Sequence, residues 1–265
     1  METFTEVASA FEKEHPEVSV ILTFDGSQRL RLQLEHGAKA DLFASADERQ
    51  MDLAQESGLL GGEAVPFTAN TLVVAVSAQA GAEAGRSHTG ATIHSLKDLA
   101  GEDVKLVLAH PEVPAGRYAL AVINSLAADP EFGPQYSAQL LANIVSQEPN
   151  VRGVLQKVTL GEADAGFVYA SDLRSIDNIL ALAVPTEANV AAVYPIAVLL
   201  DAVELESAEL FISFLTSPRG QKIHQDHGFN GLDSPNEPTS NSGANNLRMR
   251  NRFAGPRLSH GSREG

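Results

Sequence analysis

The sequence predicts an α/β fold with mostly parallel sheets, and three observations carry that expectation. Short β-branched and apolar runs alternate along the chain with apolar stripes at helical spacing. Turn-forming residues punctuate the boundaries between them. The composition, 43% apolar and 20% charged, is that of a globular protein able to bury a sizeable core. In sheets of this kind ligands bind where strand carboxyl ends meet helix N-termini.

Taken in order, Phe4, Val7, Ala8 and Phe11 recur at i, i+3, i+4 and i+7 and predict a helix ending near His15-Pro16. Residues 18–24, β-branched and bounded by turn residues, predict a buried strand. Asp25-Gly26-Ser27 then turns into a helix bearing Leu30 and Leu34 and closed by Gly37. Residues 41–44 predict a short strand, and Asp47 with Gln50 has capping-box spacing ahead of a helix carrying Met51 and Ala54. A strand over 72–76, a short helix around 95–100 and a strand over 104–109 follow. Pro111 and Pro114-Ala115-Gly116 lead into a helix over 118–126. Residues 144–145 predict a weak strand, and Val151, Val154, Leu155 and Val158 form a helical stripe. Strands over 165–169 and 190–200 come next, then helices over 209–215 and 220–227, ending at Gly228-Phe229.

Charge narrows the function. The net charge of −15 argues against nucleic acid or an anionic membrane as a partner. No apolar run reaches the length of about eighteen residues that a membrane span needs. With no cysteine there is no disulfide, thiolate metal site or thiol nucleophile. Residues 230–265 are polar and carry five Arg against three acids, which predicts a disordered tail, with a basic binding arm as the alternative.

Four strand-to-helix positions could aim hydroxyls and free N–H groups at one point. They are Phe24-Asp25-Gly26-Ser27, Pro114-Ala115-Gly116, Asn150-Val151-Arg152-Gly153, and Tyr169 at the end of its strand. Such donors would let an acidic protein hold an anion at short range despite its net charge. Taken alone, Ser27 reads equally well as a helix N-cap, and Tyr169 as a strand-end residue with its hydroxyl in water.

At these positions the chain resembles the molybdate-binding proteins of ABC importers, a branch of the type II periplasmic binding proteins. The resemblance runs through Phe24-Asp25-Gly26-Ser27, residues 37–47, residues 111–118, Val151-Arg152-Gly153-Val154-Leu155, residues 161–172, Tyr194-Pro195-Ile196-Ala197-Val198 and His227-Gly228-Phe229. It covers residues 2–229, and its weight lies in the ordered series rather than in one motif. It implies a two-lobed fold, with residues 1–70 plus 193–229 as lobe 1 and 71–192 as lobe 2. It implies a non-enzymatic, extracytoplasmic (periplasmic) protein that captures molybdate or tungstate and delivers it to an ABC permease, as a monomer and without a cofactor or metal ligand set. Carried over, Ser27 supplies a hydroxyl and an N–H, Ala115 and Val151 supply backbone N–H groups, and Tyr169 supplies its phenol. The family's first strand, its signal peptide and a further ligand serine have no counterpart here, because the first helix starts almost at Met1. The missing strand is expected to leave backbone groups of its neighbours unpaired.

Other readings remain beside it. A hydrolase would need a base beside Ser27, and no Gly-x-Ser-x-Gly elbow is present. An oxyanion-sensing regulatory domain and a non-functional truncated copy are the alternatives of the same fold. Asp41 and Asp47 read as turn and cap residues rather than a catalytic pair, and Asp164 and Asp172 as surface or cap residues. Arg117 and Arg152 lie beside the proposed anion site. His224 and His227 near Asp226 have the spacing of a chance metal site.

Overall fold

A computed structural model describes residues 2–77, 93–174, 176 and 178–231. Helix α1 (Glu2–Glu14) buries Val7, Ala8 and Phe11 as its period demands. Then come α2 (Ser27–Glu35), β1 (Leu42–Ala44), α3 (Glu48–Glu56), β2 (Val65–Asn70) and β3 (Leu72–Ser77). A 3-10 turn (Leu96–Ala100) precedes β4 (Leu106–Ala109), α4 (Pro114–Ala128), α5 (Tyr136–Ala142) and β5 (Ile144–Glu148). The chain continues through α6 (Val151–Leu160), β6 (Ala165–Tyr169), a second 3-10 turn (Ala170–Leu173), β7 (Ile179–Ala183), β8 (Ala192–Val198), α7 (Leu205–Thr216) and α8 (Pro218–Asp226).

The strands form two sheets. One is three-stranded in the order β1-β8-β2, the other five-stranded in the order β5-β4-β6-β3-β7. The expected mostly parallel pairing holds only for β4 with β5 and with β6. Strands β1 and β2 both run antiparallel to β8, and β3 runs antiparallel to β6 and β7. The reason is connectivity. Strands β2 and β3 are separated by Thr71 alone, so the chain passes straight from one sheet to the other without a helical crossover to reverse it. Strand β2, β7 and α5 are elements the periodicity did not predict.

Residues 18–24 are extended but belong to no sheet. Val18, Val20 and Leu22 are half-buried while Ser19, Ile21 and Thr23 face solvent, with Ile21 91% exposed. This is the alternation of a one-sided strand without a ladder partner. The Val20 N–H donates instead to the Glu12 carboxylate at 2.8 Å. The expected tail also begins later than residue 230. Asn230 exchanges backbone hydrogen bonds with Ala69, at 2.8 and 3.2 Å, and its carbonyl also accepts from the Thr68 hydroxyl. Residues 232–265 lie outside the described residues, and so does the reading of a disordered tail there.

Helices α4 and α6 pack on β4 and β6, while α3 and α7 pack on β8 and α8 on β2. One core cluster runs from Val7, Phe11 and Phe67 to Leu106, Ile123 and Phe167, and a smaller one joins Phe43, Met51, Ala54 and Leu60. Gly116 sets how closely α4 can lie on β4. A Cβ there would stand 2.2 Å from the His110 carbonyl oxygen and 2.4 Å from that of Ala109. The residue pattern therefore seats the start of α4 against the end of β4, where the site is built.

Candidate functional site

Helix α2 begins with Gly26 as its N-cap and Ser27 as its first residue. Ser27 is buried and makes no cap bond, which corrects the N-cap reading of this residue. Its hydroxyl oxygen accepts the Ala46 N–H at 3.0 Å, so its own proton is free to donate. Asp47 is the N-cap of α3, as the spacing predicts, taking the Gln50 N–H at 2.8 Å. The reciprocal half of the capping box is absent, because the Gln50 side chain accepts from Arg31 Nε at 2.9 Å instead.

Helix α4 begins at Pro114, which has no N–H, so Ala115 presents the first donor of that helix. Helix α6 is capped by Asn150, whose side chain takes the Gly153 N–H at 3.0 Å and leaves that of Val151 uncommitted. Among the described residues, the backbone N–H groups of Ser27, Ala115 and Val151 have no protein acceptor. Ordinarily such first-turn donors face water or a ligand.

Tyr169 ends β6 as a buried residue, 4% exposed, and its buried hydroxyl makes no hydrogen bond of good geometry. Tyr194 stacks edge-on, ring centroids 5.8 Å apart, and its hydroxyl lies near enough to interact with that of Tyr169, although no hydrogen bond of good geometry forms between them. Burial, with Tyr194, Tyr118, Asp172 and Asp47 nearby, holds the Tyr169 phenol well above its ordinary range. It therefore remains protonated and able to donate. The Tyr169 N–H donates to the Asp172 carboxylate at 3.1 Å. That carboxylate is enclosed, although the residue as a whole is only half-buried, and burial outweighs the Tyr169 hydrogen bond and Arg152 to push it up to about 6. Asp172 is thus a cap, as the sequence suggests. Asp164 is not a surface residue, since it is buried and accepts the Lys105 N–H at 2.8 Å.

Specific bonds draw these elements together. Gln28 Nε2 donates to the Pro149 carbonyl at 3.0 Å, joining the start of α2 to the approach of α6. Arg117, two residues beyond Ala115, donates to Asp47 at 2.5 Å, joining α4 to the turn that holds Ser27. Arg152 lies over the Phe24 ring at 5.9 Å. Gln28 Oε1 is a second buried polar atom without a partner here. Sequence reasoning missed Gln28, Tyr194 and the Asp47–Arg117 pairing, since no local spacing signals a contact made across 121 or 70 residues.

The chemistry available is donation, not bond-breaking. Among the described residues, no His or carboxylate contacts the Ser27 hydroxyl, and no cluster of three or more His, Asp or Glu could hold a metal. His224 is enclosed by Phe4, Phe67 and Phe229, with Nδ1 on the Gly220 carbonyl, whereas His227 Nε2 pairs with Glu6. The two rings therefore have different partners and do not form the chance metal site their spacing allowed. A surface recess lined by Leu34, Lys39, Leu59 and Asp201 includes none of the four donor residues. No described helix is long and apolar enough to cross a membrane.

A family model for bacterial extracellular solute-binding proteins matches residues 1–230. The chain belongs to this family. The solute-binding protein is 35% identical over 227 residues to the molybdate-binding protein ModA of Mycobacterium tuberculosis, covering 85% of this chain and 79% of that one. The substrate-binding domain of a putative molybdenum ABC transporter from Clostridium difficile superposes with a TM-score of 0.64 at 28% identity, covering 88% of this chain and 94% of the other. The sulfate-binding protein SubI of Mycobacterium tuberculosis superposes with a TM-score of 0.73 at 17% identity, over 87% and 83% of the two chains, and shows the shared fold. The expected type II periplasmic-binding-protein architecture is thereby shown for this solute-binding protein, with the mixed sheets described above.

Proposed function

We propose that this solute-binding protein captures molybdate outside the cytoplasm and hands it to the membrane permease of an ABC importer. The observation that carries the reading is the buried Tyr169 hydroxyl, which has no well-formed hydrogen bond to protein and ends a strand packed by α4 and α6, whose first turns bear uncommitted N–H groups. The molybdate-binding relative at 35% identity supports the choice of ligand. In this reading Ser27 donates its hydroxyl and N–H, Ala115 and Val151 donate N–H groups, and Tyr169 donates its phenol. A dianion accepts from all of these at once, through charge-assisted bonds in a site closed to water.

Residues 1–70 with 193–229 form one lobe and 71–192 the other, with the hinge at the passages near Thr71 and Ala192. The change of sheet between β2 and β3, and again between β7 and β8, supports these boundaries. The protein acts as a monomer, catalyses no reaction and needs no resident cofactor or nucleic acid. Tungstate, nearly the same size as molybdate, is accepted too. Protonated phosphate is rejected, since it requires an acceptor where the cage offers donors.

Calorimetric titration tests the reading. Molybdate should bind at one site, tungstate comparably, and sulfate and phosphate far more weakly. A folded protein giving no heat with molybdate, or binding sulfate equally well, would overturn it.

A further inference from the structure

Among the polar contacts that bridge elements of the three-stranded half to elements of the five-stranded half, four join the segments around α2 and α3 to the starts of α4 and α6. Gln28 reaches the Pro149 carbonyl at 3.0 Å, Arg49 pairs with Glu112 at 3.3 Å, and Gln50 Nε2 approaches the Glu112 carbonyl at 3.5 Å. The fourth is the ion pair between Arg117 and Asp47 at 2.5 Å. They differ in environment. The Arg49 and Glu112 side chains are 43% and 61% exposed, so solvent screens that pair to little net value. Asp47 is 1% exposed and Arg117 37%. Breaking a pair with one buried partner leaves an uncompensated charge, an effect that appears mainly in dissociation rates.

The pair also sits at the junction of the donor sets. Asp47 follows Ala46, whose N–H holds the Ser27 hydroxyl, and its other carboxylate oxygen caps α3. Arg117 is in the first turn of α4, two residues past Ala115, and its guanidinium lies over the Tyr118 ring at 4.9 Å. A movement of the start of α4 away from the turn at Ala46-Asp47 would therefore part Arg117 from Asp47.

We propose that Arg117 and Asp47 are a positioning pair, a latch that closes the cleft and sets how long an oxyanion stays bound without itself being a ligand. The inference rests on the oxyanion-capture reading for its kinetic consequence, though not for the closure. Apparent affinity scales with the fraction of molecules already closed, so a latch present without ligand lowers the free-energy cost of binding. Release requires the pair to part, so the latch slows dissociation and leaves association, governed by the open form, almost unchanged.

Two single variants and their double test this. Arg117→Met keeps an unbranched apolar stem and removes the charge together with the guanidinium's stacking on Tyr118. Asp47→Asn keeps an acceptor for the Gln50 N–H and removes the opposite charge. By stopped-flow with molybdate, each single should raise the off-rate about tenfold with the on-rate changed less than about threefold. The double should be no worse than the more affected single, because the two residues act as one unit. Independently of any ligand, spin labels on Leu32→Cys and Val145→Cys, two exposed positions in a chain with no cysteine, read the distance between the halves. In the ligand-free protein Arg117→Met should lengthen or broaden that distance. Unchanged off-rates, additive effects in the double, or an unchanged label distance would each overturn the latch. Wild-type protein that fails to bind molybdate sinks the capture reading instead, while the label distance still judges closure.

Discussion

The Ala46 N–H donates to the Ser27 hydroxyl oxygen at 3.0 Å, from nineteen residues further along the chain. This single bond turns a first-turn serine into a directed donor. With its oxygen committed as an acceptor, the hydroxyl proton points elsewhere, and Gly26 rather than Ser27 serves as the helix cap. Ser27→Ala should therefore weaken molybdate binding about ten- to a hundredfold, the value of one hydrogen bond to a charged ligand. Its effect on stability should stay near 1 kcal/mol, the worth of the Ala46 bond. Calorimetry and denaturant unfolding check the two halves, and unchanged affinity would remove Ser27 from the site.

Tyr169 offers the opposite signature. Its buried hydroxyl has no protein hydrogen-bond partner, so it is a liability without an acceptor and an asset with a ligand. Tyr169→Phe should leave the ligand-free melting temperature unchanged or higher. The same variant should lower molybdate affinity about tenfold or more. A lowered melting temperature with intact affinity would mean that the phenol is structural.

Asp172 predicts a pH dependence. Enclosure raises its folded-state pKa from 3.8 to about 6. A raised pKa means stability is fully present below the unfolded value and is lost as pH rises through about 6. Asp172→Asn retains an acceptor for the Tyr169 N–H and should flatten this loss. At pH 7 it should gain about 1–2 kcal/mol, after discounting for the half-exposed residue. Urea unfolding at pH 4, 6 and 8 measures it, and parallel curves for both proteins would refute the assignment.

His224 acts in the reverse sense. Burial among Phe4, Phe67 and Phe229 lowers its pKa despite the Gly220 carbonyl, and its Nε2 lacks a partner. A lowered pKa means that the unfolded chain takes up the proton first, so stability falls as pH drops through about 6.5. His224→Phe, similar in ring shape, should abolish that part of the acid sensitivity. Melting curves between pH 7 and 5 decide it.

Gly116 tests how the site is seated. A Cβ would collide with the His110 and Ala109 carbonyl oxygens, so Gly116→Ala must lift α4 away from β4. Destabilisation of about 2–3 kcal/mol is expected, together with weaker molybdate binding as the Ala115 N–H moves. Wild-type unfolding and affinity would show that the close approach is not needed.

Much of this protein was legible in its sequence because the signals are local. The apolar spacing of Val7, Ala8 and Phe11 specifies the buried face of α1, and Asp47 caps α3 at the position its spacing implies. Ser27, Ala115 and Val151 are legible as donor candidates because free N–H groups occur wherever a helix begins. Strand β2 is not legible because Pro66 and the polar Thr68 and Asn70 mask its alternation, and β7 because its short apolar run carries no period.

Tertiary structure alone decided the rest. The β-branched composition of residues 18–24 favours an extended chain, but a strand also needs a partner, and among the described residues it has none. Sheet direction depended on Thr71 passing the chain between sheets, which no propensity encodes. That Asp47 meets Arg117, and Gln28 meets Pro149, depends on how the starts of α2, α3, α4 and α6 pack together. Propensity and periodicity act over a few residues, whereas these contacts join residues 70 and 121 apart and exist only once both cores are formed. The sequence by itself determined which groups could donate, and the folded chain decided which long-range contacts hold their elements together.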